Sequence, residues 1–409
     1  MDVAEYLELK LFHEVHTSEI KSFRACRRRW NWVFRENYYP KITAKPLEFG
    51  TAFHKAMETY YDPTTWNDDR VQIGSEAILD FIDTCTSQKE KAIENRGSQV
   101  LEVDEEEDYA ERVELGKGML NYYFNDVAPL IDKGWKPVSV EQSFAVPVKH
   151  PITGAEAIWC TCDSCWNKYY SWLQTSPREV NEFIRTNWIG LPVAYEGRID
   201  MLAQDEHGFY WVYDWKTARS ISEKQVFLYL DDQVGGYVWA MNKLNINVKG
   251  FVYHEQRKDY PQPPKRNKTI RMGRAFSVSK SEPIEYDSYL ATVASEDTAA
   301  YESGLYDEFL TYLKEEGVVF WARHKIAKSP GELEEIERNI GLIALDMLQK
   351  DLLLYPSPGR FGCDFCAFQT PCIEKNAQSD YQYALDTMYD KKQHYYIREE
   401  SSTESKGGI

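Results

Sequence analysis

The stretch "PVAYEGRIDMLAQDEHGFYWVYDWKTARS", residues 192–220, contains two runs of alternating apolar and polar residues on either side of the sequence "DEHG". Alternation with a period of two is typical of β-strands, and Asp and Gly are typical of the turn between two antiparallel strands. The stretch therefore predicts a β-hairpin. Elsewhere in the chain, strand patterns predict further strands at 138–148, 248–256 and 269–279, and a helical pattern predicts a helix at 230–244.

The polar residues of the hairpin fall on defined faces. Residues two apart in a strand share a face, so Glu196, Arg198 and Asp200 lie together, as do Asp214 and Lys216. Carboxylates on neighbouring strands suit Mg²⁺ or Mn²⁺, which can activate water at a phosphodiester, while a lysine can position that water or stabilise transition-state charge. Glu196 either joins Asp200 in such a site or pairs with Arg198. An isolated Asp-x-Lys sequence more often belongs to an ordinary strand face with ion pairs than to a metal site.

Two motifs lie on either side of the hairpin in the sequence. His54 follows Gly50 by four residues, in a helix predicted to start near Phe49. "QVGGY" runs from Gln233 to Tyr237 on the next predicted helix, and residues four apart share a helix face. With "GRID" and "DWK", these motifs resemble the PD-(D/E)XK nuclease superfamily, and within it the RecB-type branch. The resemblance implies an α/β, restriction-endonuclease-like core with a mixed central sheet flanked by helices.

The resemblance also implies a role for each matching residue. His54 matches the helix-borne metal ligand, Asp200 the carboxylate of the G-x-x-D motif, and Asp214 with Lys216 the D-x-K motif. The implied Mg²⁺ or Mn²⁺ site is therefore formed by His54, Asp200 and Asp214, with Lys216 acting in catalysis. The glutamine and tyrosine of "QVGGY" match the Q-x3-Y element, which implies contact with the substrate or orientation of the site.

A second group of candidate ligands lies near the C-terminus. "FGCDFCAFQTPC", residues 361–372, contains three of the eight cysteines of the chain in C-x2-C-x5-C spacing. Three thiolates so close in sequence predict a metal site that needs a fourth ligand. The spacing leaves two sources for it, Cys26 or the group of Cys160, Cys162 and Cys165, and it leaves both zinc and iron–sulfur open.

The resemblance favours Cys26. One branch of these nucleases includes the CRISPR-associated exonuclease family and the nuclease subunit of AddAB-type repair enzymes. It binds an iron–sulfur cluster through one cysteine before the nuclease core and C-x2-C-x5-C after it. Cys26, Cys363, Cys366 and Cys372 match that pattern. The resemblance therefore implies a [4Fe–4S] cluster. Because the cluster would tie Cys26 to Cys363 across most of the chain, a structural role is favoured over a redox role. Cys26 itself lies in a stretch, 18–37, that predicts one helix.

The remaining cysteine group has no counterpart in that pattern. Cys160, Cys162 and Cys165 form a C-x-C-x2-C sequence that is compact enough to bind a metal, with His150 as a candidate fourth ligand. Ordinary buried or surface thiols are the favoured interpretation, because small apolar thiols often pack in cores without a metal.

The chain has 409 residues and a net charge of −17, which argues against a protein that coats nucleic acid through bulk electrostatics. Contact with DNA would then depend on local basic segments, of which there are three: 24–30, 263–274 and 323–328. Solvated surface and phosphate contact are about equally good interpretations of each segment.

The domain organisation predicted from these patterns is one nuclease domain over residues 1–395 followed by a disordered low-complexity tail at 396–409. Its approximate parts are a helical insertion at 66–135, a core at 137–260, a cysteine-containing insertion at 150–190, and a C-terminal helical and iron–sulfur region at 281–375. No signal peptide or membrane span is evident, so we expect a cytoplasmic protein with reduced thiols.

With the hairpin chemistry, the resemblance implies a metal-dependent DNA nuclease, which we expect to be an exonuclease that processes DNA ends in recombination or repair. No G-x4-G-K-[ST] sequence is present, so a helicase motor or recombination protein would be a separate partner. Three alternatives remain open at this point: a nuclease that processes spacer precursors in CRISPR adaptation, a DNA-binding scaffold with a decayed site, and an electron-transfer protein. The last would leave the carboxylate hairpin unexplained.

Overall fold

A mixed β-sheet lies between two layers of helices in the computed structural model of the chain, which describes residues 1–41, 45–96, 103–175, 188–221 and 226–391. The order of its strands is β1-β5-β6-β7-β10, and β3 and β4 pair with the other edge of β5. The strands are β1 His13–His16, β2 Tyr38–Pro40, β3 Lys136–Pro147, β4 Trp159–Cys160, β5 Leu191–Gln204, β6 Tyr210–Ala218, β7 Val248–Arg257, β8 Arg266–Arg271, β9 Arg274–Phe276, β10 Trp321–Ala327 and β11 Tyr389–Lys391.

The helices come before, between and after these strands. They are α1 Val3–Glu8, α2 Thr17–Ala25, α3 Arg27–Trp30, α4 Lys45–Tyr60, α5 Arg70–Arg96, α6 Val103–Tyr122, α7 Ala128–Ile131, α8 Asp163–Thr175, α9 Asp232–Lys243, α10 Tyr286–Glu296, α11 Thr298–Glu302, α12 Asp307–Glu316, α13 Pro330–Met347, α14 Arg360–Asp364, α15 Gln369–Asn376 and α16 Tyr381–Met388. Short π-helical turns follow α3 and α6, and a 3₁₀ turn precedes α9.

The predicted hairpin is confirmed as the antiparallel pair β5–β6, with Met201 opposite Tyr213. Its turn forms because the Asp205 carboxylate accepts hydrogen bonds from the backbone N–H groups of His207 and Phe209, both at 3.0 Å. Gly208 adopts a φ of +82°, a conformation that costs glycine little. Local turn chemistry therefore sets the register of the two strands.

The two faces of the sheet bury separate apolar clusters. Val212 and Phe251 belong to one cluster, to which α2, α9 and α13 contribute, whereas Tyr213 and Val252 belong to the other, to which α4, α5 and α6 contribute. Neighbouring residues of a strand point to opposite faces, so β6 and β7 are buried on both sides. This arrangement confirms the expected fold class, a mixed central sheet flanked by helices.

The helix predicted for residues 18–37 is interrupted. Cys26 has an extended backbone, with φ −164° and ψ 109°, and separates α2 from α3. The prediction of one continuous helix was therefore wrong. It failed because a polar–apolar pattern of helical period does not detect one extended residue between two short helices.

One strand prediction also needs correction, and one long strand of the sheet was missed. Residues 269–279 do not form one strand but part of the hairpin β8–β9, because Met272 and Gly273 both have positive φ and make a tight turn. Strand β10 was not predicted. It includes most of the basic segment 323–328 and pairs antiparallel with β7.

In the described part of the chain, no helix is long and apolar enough to cross a membrane. The predicted tail, 396–409, lies outside the described residues.

Candidate active site

The site forms where β5 and β6 separate. Pairing between these strands stops at Met201 and Tyr213, and the next residues are Asp200 and Asp214. Beyond this point β5 pairs with β1 and β6 continues beside β7. The two aspartates therefore meet in a fork of the sheet, where the Trp215 N–H donates a hydrogen bond of 2.9 Å to Oδ2 of Asp200.

His54 reaches the fork from α4. Its neighbours Phe53 and Met57 are fully buried in the adjoining cluster, which fixes the rotation of the helix. Nδ1 of His54 lies 3.3 Å from Oδ2 of Asp200. Burial lowers the pKa of His54, but the Asp200 carboxylate raises it more, so the net shift is upward. Burial conversely raises the pKa of Asp200, and His54 and Lys216 more than offset it, so that pKa falls.

Asp214 is buried and held by two partners. The Lys216 ammonium lies 2.6 Å from both carboxylate oxygens, and Gln233 Nε2 donates a hydrogen bond of 2.7 Å to Oδ1. Gln233 is fixed in turn because its N–H donates to the N-cap residue Asp231 at the start of α9. Burial lowers the pKa of Lys216, but Asp214 and Asp200 raise it more, so Lys216 remains a cation.

Tyr237 lies one helical turn after Gln233 and faces the same strands. Its ring packs edge-on against Phe144, with centroids 5.3 Å apart. Gly197 makes room for both rings, because a Cβ there would lie 2.6 Å from Phe144 and 3.0 Å from Tyr237. The structure thus places the Q-x3-Y element beside the hairpin, and its catalytic role stays a prediction.

Glu141 is a site residue that the sequence analysis missed. Ligand atoms of His54, Glu141 and Asp200 all lie within 4.8 Å of one another. Glu141 sits on β3 with a φ of +49°, a conformation that non-glycine residues rarely adopt and that tends to occur at functional sites. The alternation at the start of β3, in which Ser139 and Glu141 each follow a valine, was the available signal.

Arg198 pairs with Glu141, its Nε lying 3.0 Å from Oε2. The pairing of Arg198 with Glu196 that was considered from the sequence is therefore not the one observed. Glu196 instead forms a separate group with Glu14 and His16, whose ligand atoms lie within 4.8 Å of one another. Burial, followed by repulsion from Glu14, raises the pKa of Glu196 to about 7.

The fork has the donor chemistry for a divalent cation. Carboxylate oxygens suit Mg²⁺ and Mn²⁺, and an imidazole nitrogen within the compact group of His54, Glu141 and Asp200 is better suited to Mn²⁺ than to Mg²⁺. Asp214 lies next to this group but outside it. Its predicted role as a ligand therefore stays a prediction.

The four cysteines matched to the iron–sulfur pattern come from the two ends of the chain. Arg28 Nη1 lies 3.4 Å from Sγ of Cys372, and the Cys366 thiol interacts electrostatically with Cys26 and Cys372. In the part of the chain that the structure describes, ligand groups within 4.8 Å of one another do not include these four sulfurs. A single ion would require such closeness, whereas a four-iron cluster binds each thiolate at a different iron.

The other cysteine group has a different fourth member from the one expected. Cys160, Cys162 and Cys165 converge with His13, and the four ligand atoms lie within 4.8 Å of one another. Nδ1 of His150 instead accepts hydrogen bonds from backbone N–H groups of its own turn, at 3.3 Å. His150 is therefore not the fourth member of the group.

The basic segments differ in their surroundings. Arg323 is buried against Asp132 at 2.8 Å, and Lys328 donates to the Tyr229 carbonyl, so segment 323–328 is largely structural. Arg24 pairs with Asp232 at 2.6 Å. Segment 263–274 lies in the exposed hairpin β8–β9, where phosphate contact remains open.

Comparison with known proteins agrees with this geometry. The family model of the PD-(D/E)XK nuclease superfamily matches residues 16–373, a range that includes the fork and both cysteine groups except His13. A search of the curated proteins gives no match to the chain.

Proposed function

The chain belongs to the PD-(D/E)XK nuclease superfamily of metal-dependent nucleases, and from this premise we propose that it is an exonuclease that hydrolyses phosphodiester bonds at DNA ends with Mg²⁺ or Mn²⁺. The observation that carries the proposal is the fork, in which Asp200, Asp214 and Lys216 meet with His54 at the point where β5 and β6 separate. A decayed site would not be expected to retain both the His54–Asp200 and the Lys216–Asp214 contacts.

The roles of the residues follow from their contacts. Asp200, His54 and Asp214, with Glu141, would hold the cation, which when bound supplies an activated water and neutralises phosphate charge. Lys216 is a cation held against Asp214, so it stabilises negative charge in the transition state or positions the water, rather than accepting a proton. Gln233 keeps the Asp214 carboxylate oriented through its hydrogen bond.

Cys26, Cys363, Cys366 and Cys372 would bind a structural [4Fe–4S] cluster. Two features support this part of the proposal. Cys26 lies at the extended break between α2 and α3, and Arg28 of the following turn contacts Cys372. The cluster would then hold the N-terminal helices against the C-terminal segment, outside the fork.

The biological setting that we propose is end processing in recombination or repair, alone or beside a separate helicase or recombination protein. The charge of −17 supports a nuclease that holds DNA through few local contacts rather than one that coats it.

The test compares purified wild type with Lys216→Ala on end-labelled linear DNA, single- and double-stranded, in Mg²⁺, Mn²⁺ or EDTA. We expect wild type to release short products only with the cations, and Lys216→Ala to lose about 10²-fold or more in rate while DNA affinity is kept. Lys117→Ala, which removes an exposed lysine that pairs with Glu114, is the matched control and should keep full activity. Circular DNA of the same sequence should resist digestion.

Two results would contradict the proposal. Digestion at the wild-type rate by Lys216→Ala would mean that the fork is not the active site. Equal cleavage of circular and linear DNA would leave a nuclease but remove the exonuclease assignment.

A further inference from the structure

Four ligand side chains converge at a second place, and none of them belongs to the fork. His13, Cys160, Cys162 and Cys165 have ligand atoms within 4.8 Å of one another, and Nδ1 of His13 lies 3.3 Å from Sγ of Cys165. Cys160 and Cys165 are 4% and 3% exposed, whereas Cys162 is exposed. The group is thus a largely buried pocket of three thiols and one imidazole, with one thiol at its solvent side.

Strand β5 holds the group from two sides. Cys160 pairs with Leu191 in the antiparallel contact of β4 with β5, and His13 pairs with Val193 in the parallel contact of β1 with β5. Gly190 allows the close approach, because its φ is +110° and a Cβ there would lie 2.6 Å from the Cys160 carbonyl oxygen. The ligands are therefore placed by backbone pairing rather than by mobile loops.

The other two thiols lie at the start of α8. Cys162 precedes the helix, Cys165 lies in its first turn, and the Trp166 N–H donates a hydrogen bond of 3.0 Å to the Cys162 carbonyl. A C-x2-C spacing at a helix start brings two sulfurs to one side, as structural zinc sites require.

Packing alone does not explain this arrangement. A single buried thiol behaves as a small apolar side chain, and Cys85 in the aromatic cluster around Phe81 is an example in this chain. Here three thiols and one imidazole instead place four metal-binding atoms in the same pocket. In a tetrahedral zinc site the ligand atoms lie about 3.5 to 4 Å apart, given Zn–S bonds of about 2.3 Å, so only a small contraction is needed.

We propose that His13, Cys160, Cys162 and Cys165 bind one structural Zn²⁺ ion. All four positions of a tetrahedral ion are filled by protein ligands, so no position is left for a substrate or a catalytic water. The ion would cross-link β1, β4 and α8. Lys168 of α8 already contacts β1, since its Nζ lies 2.8 Å from Glu14 and donates to the Phe12 carbonyl. The zinc site does not depend on the proposed nuclease activity.

Metal analysis of anaerobically purified protein tests the proposal. We expect one zinc per chain in wild type, and at least a fivefold loss of zinc in Cys162→Ser and in His13→Asn with iron content unchanged. Cys162 is exposed, so serine removes the thiolate without leaving a cavity. Cys85→Ser changes a cysteine outside both groups and Cys363→Ser a ligand of the proposed iron–sulfur cluster; both should keep zinc.

A second measurement needs no variant. Wild-type protein is treated with iodoacetamide, with and without a zinc chelator, and the modified cysteines are mapped by mass spectrometry. Exposed Cys162 should be protected until the chelator removes zinc. Wild type without zinc, loss of iron instead of zinc in Cys162→Ser, a disulfide within the group, or equal modification of Cys162 in both conditions would each overturn the assignment.

Discussion

At the scale of single residues, Glu141 is the side chain whose role the structure changes most. Its positive φ within a strand costs about 1 kcal/mol or more, and such a cost persists only where the surroundings impose it. Its carboxylate faces both Asp200 and Arg198. Burial raises the pKa of Glu141, and Arg198 offsets only part of that rise. A cation bound nearby would therefore stabilise the ionised carboxylate.

We therefore expect Glu141→Gln to weaken Mn²⁺ binding by about tenfold or more, since even residues that only support a ligand affect metal affinity by 10- to 100-fold. Titration of Mn²⁺ into the DNA-free protein, followed by electron paramagnetic resonance, measures the change. Glu114→Gln on the exposed side of α6 is the control. If Glu141 only balances Arg198, Mn²⁺ affinity will not change.

At the scale of elements, one buried polar network connects the residues just after α4 and α7, the π-helical turn after α6, and strand β10. Arg323 of β10 lies 2.8 Å from Asp132, whose other oxygen accepts a hydrogen bond of 2.5 Å from Tyr61. Tyr61 also shares a hydrogen bond of 2.6 Å with Tyr123. The side chains of Arg323 and Asp132 are both less than a tenth exposed, so each charge needs the other to offset the cost of its burial.

Arg323→Ala should lower the free energy of unfolding by about 3 to 5 kcal/mol, because it leaves Asp132 buried and unpaired. Urea unfolding followed by circular dichroism measures this. Arg338→Ala, which breaks an exposed pair with Glu335, should cost no more than about 1 kcal/mol. A small effect of Arg323→Ala would return segment 323–328 to the candidates for DNA contact.

The hairpin β8–β9 is the element that we expect to contact phosphates. Arg271 is exposed at the end of β8 and Lys265 is exposed just before it, whereas Arg266 already lies 3.5 Å from Glu296. Arg271→Glu and Lys265→Glu should each weaken DNA binding and reduce the slope of log K against log salt by roughly 0.7 to 0.9. Fluorescence anisotropy at several salt concentrations measures both quantities, and Arg338→Glu on α13 serves as the charge-matched control. Unchanged slopes would identify the hairpin as solvated surface.

At the scale of the whole molecule, the two ends of the chain are packed together. β11 pairs with β2, Trp32 stacks on Phe368 with centroids 5.7 Å apart, and the Arg28 N–H donates to the Tyr355 carbonyl. The four cysteines of the proposed cluster lie in this same region. A cluster there closes most of the chain into one loop, which stabilises the folded state by restricting the unfolded one.

Cys363→Ser should therefore lower iron content and thermal stability together while zinc content is kept. Iron and acid-labile sulfide assays, with thermal unfolding of the same samples, provide the measurement. Cys363 is exposed, so loss of packing does not account for a fall in stability. Wild-type protein that contains zinc but no iron at these residues would contradict the iron–sulfur assignment.

Local sequence patterns were enough for the hairpin and for the helix that bears His54, and the resemblance carried by the motifs was enough for the α/β class. The first two depend on residues close in sequence: the turn around Gly208 sets the register of β5 and β6, and that register puts Asp200 and Asp214 directly after the last pair, Met201 with Tyr213. The family match adds membership of the nuclease superfamily. The RecB-type branch and the iron–sulfur cluster remain predictions.

Tertiary structure decided what depends on residues distant in sequence. Glu141 joins the fork because β3 pairs with β5, and His13, rather than His150, joins the cysteine group because β1 pairs with the same strand. Segment 323–328 is charged in sequence, but most of it forms the edge strand β10 beside β7, and its Arg323 side chain is buried against Asp132. Strand pairing and burial select such neighbours from the whole chain, so no local pattern or spacing specifies them.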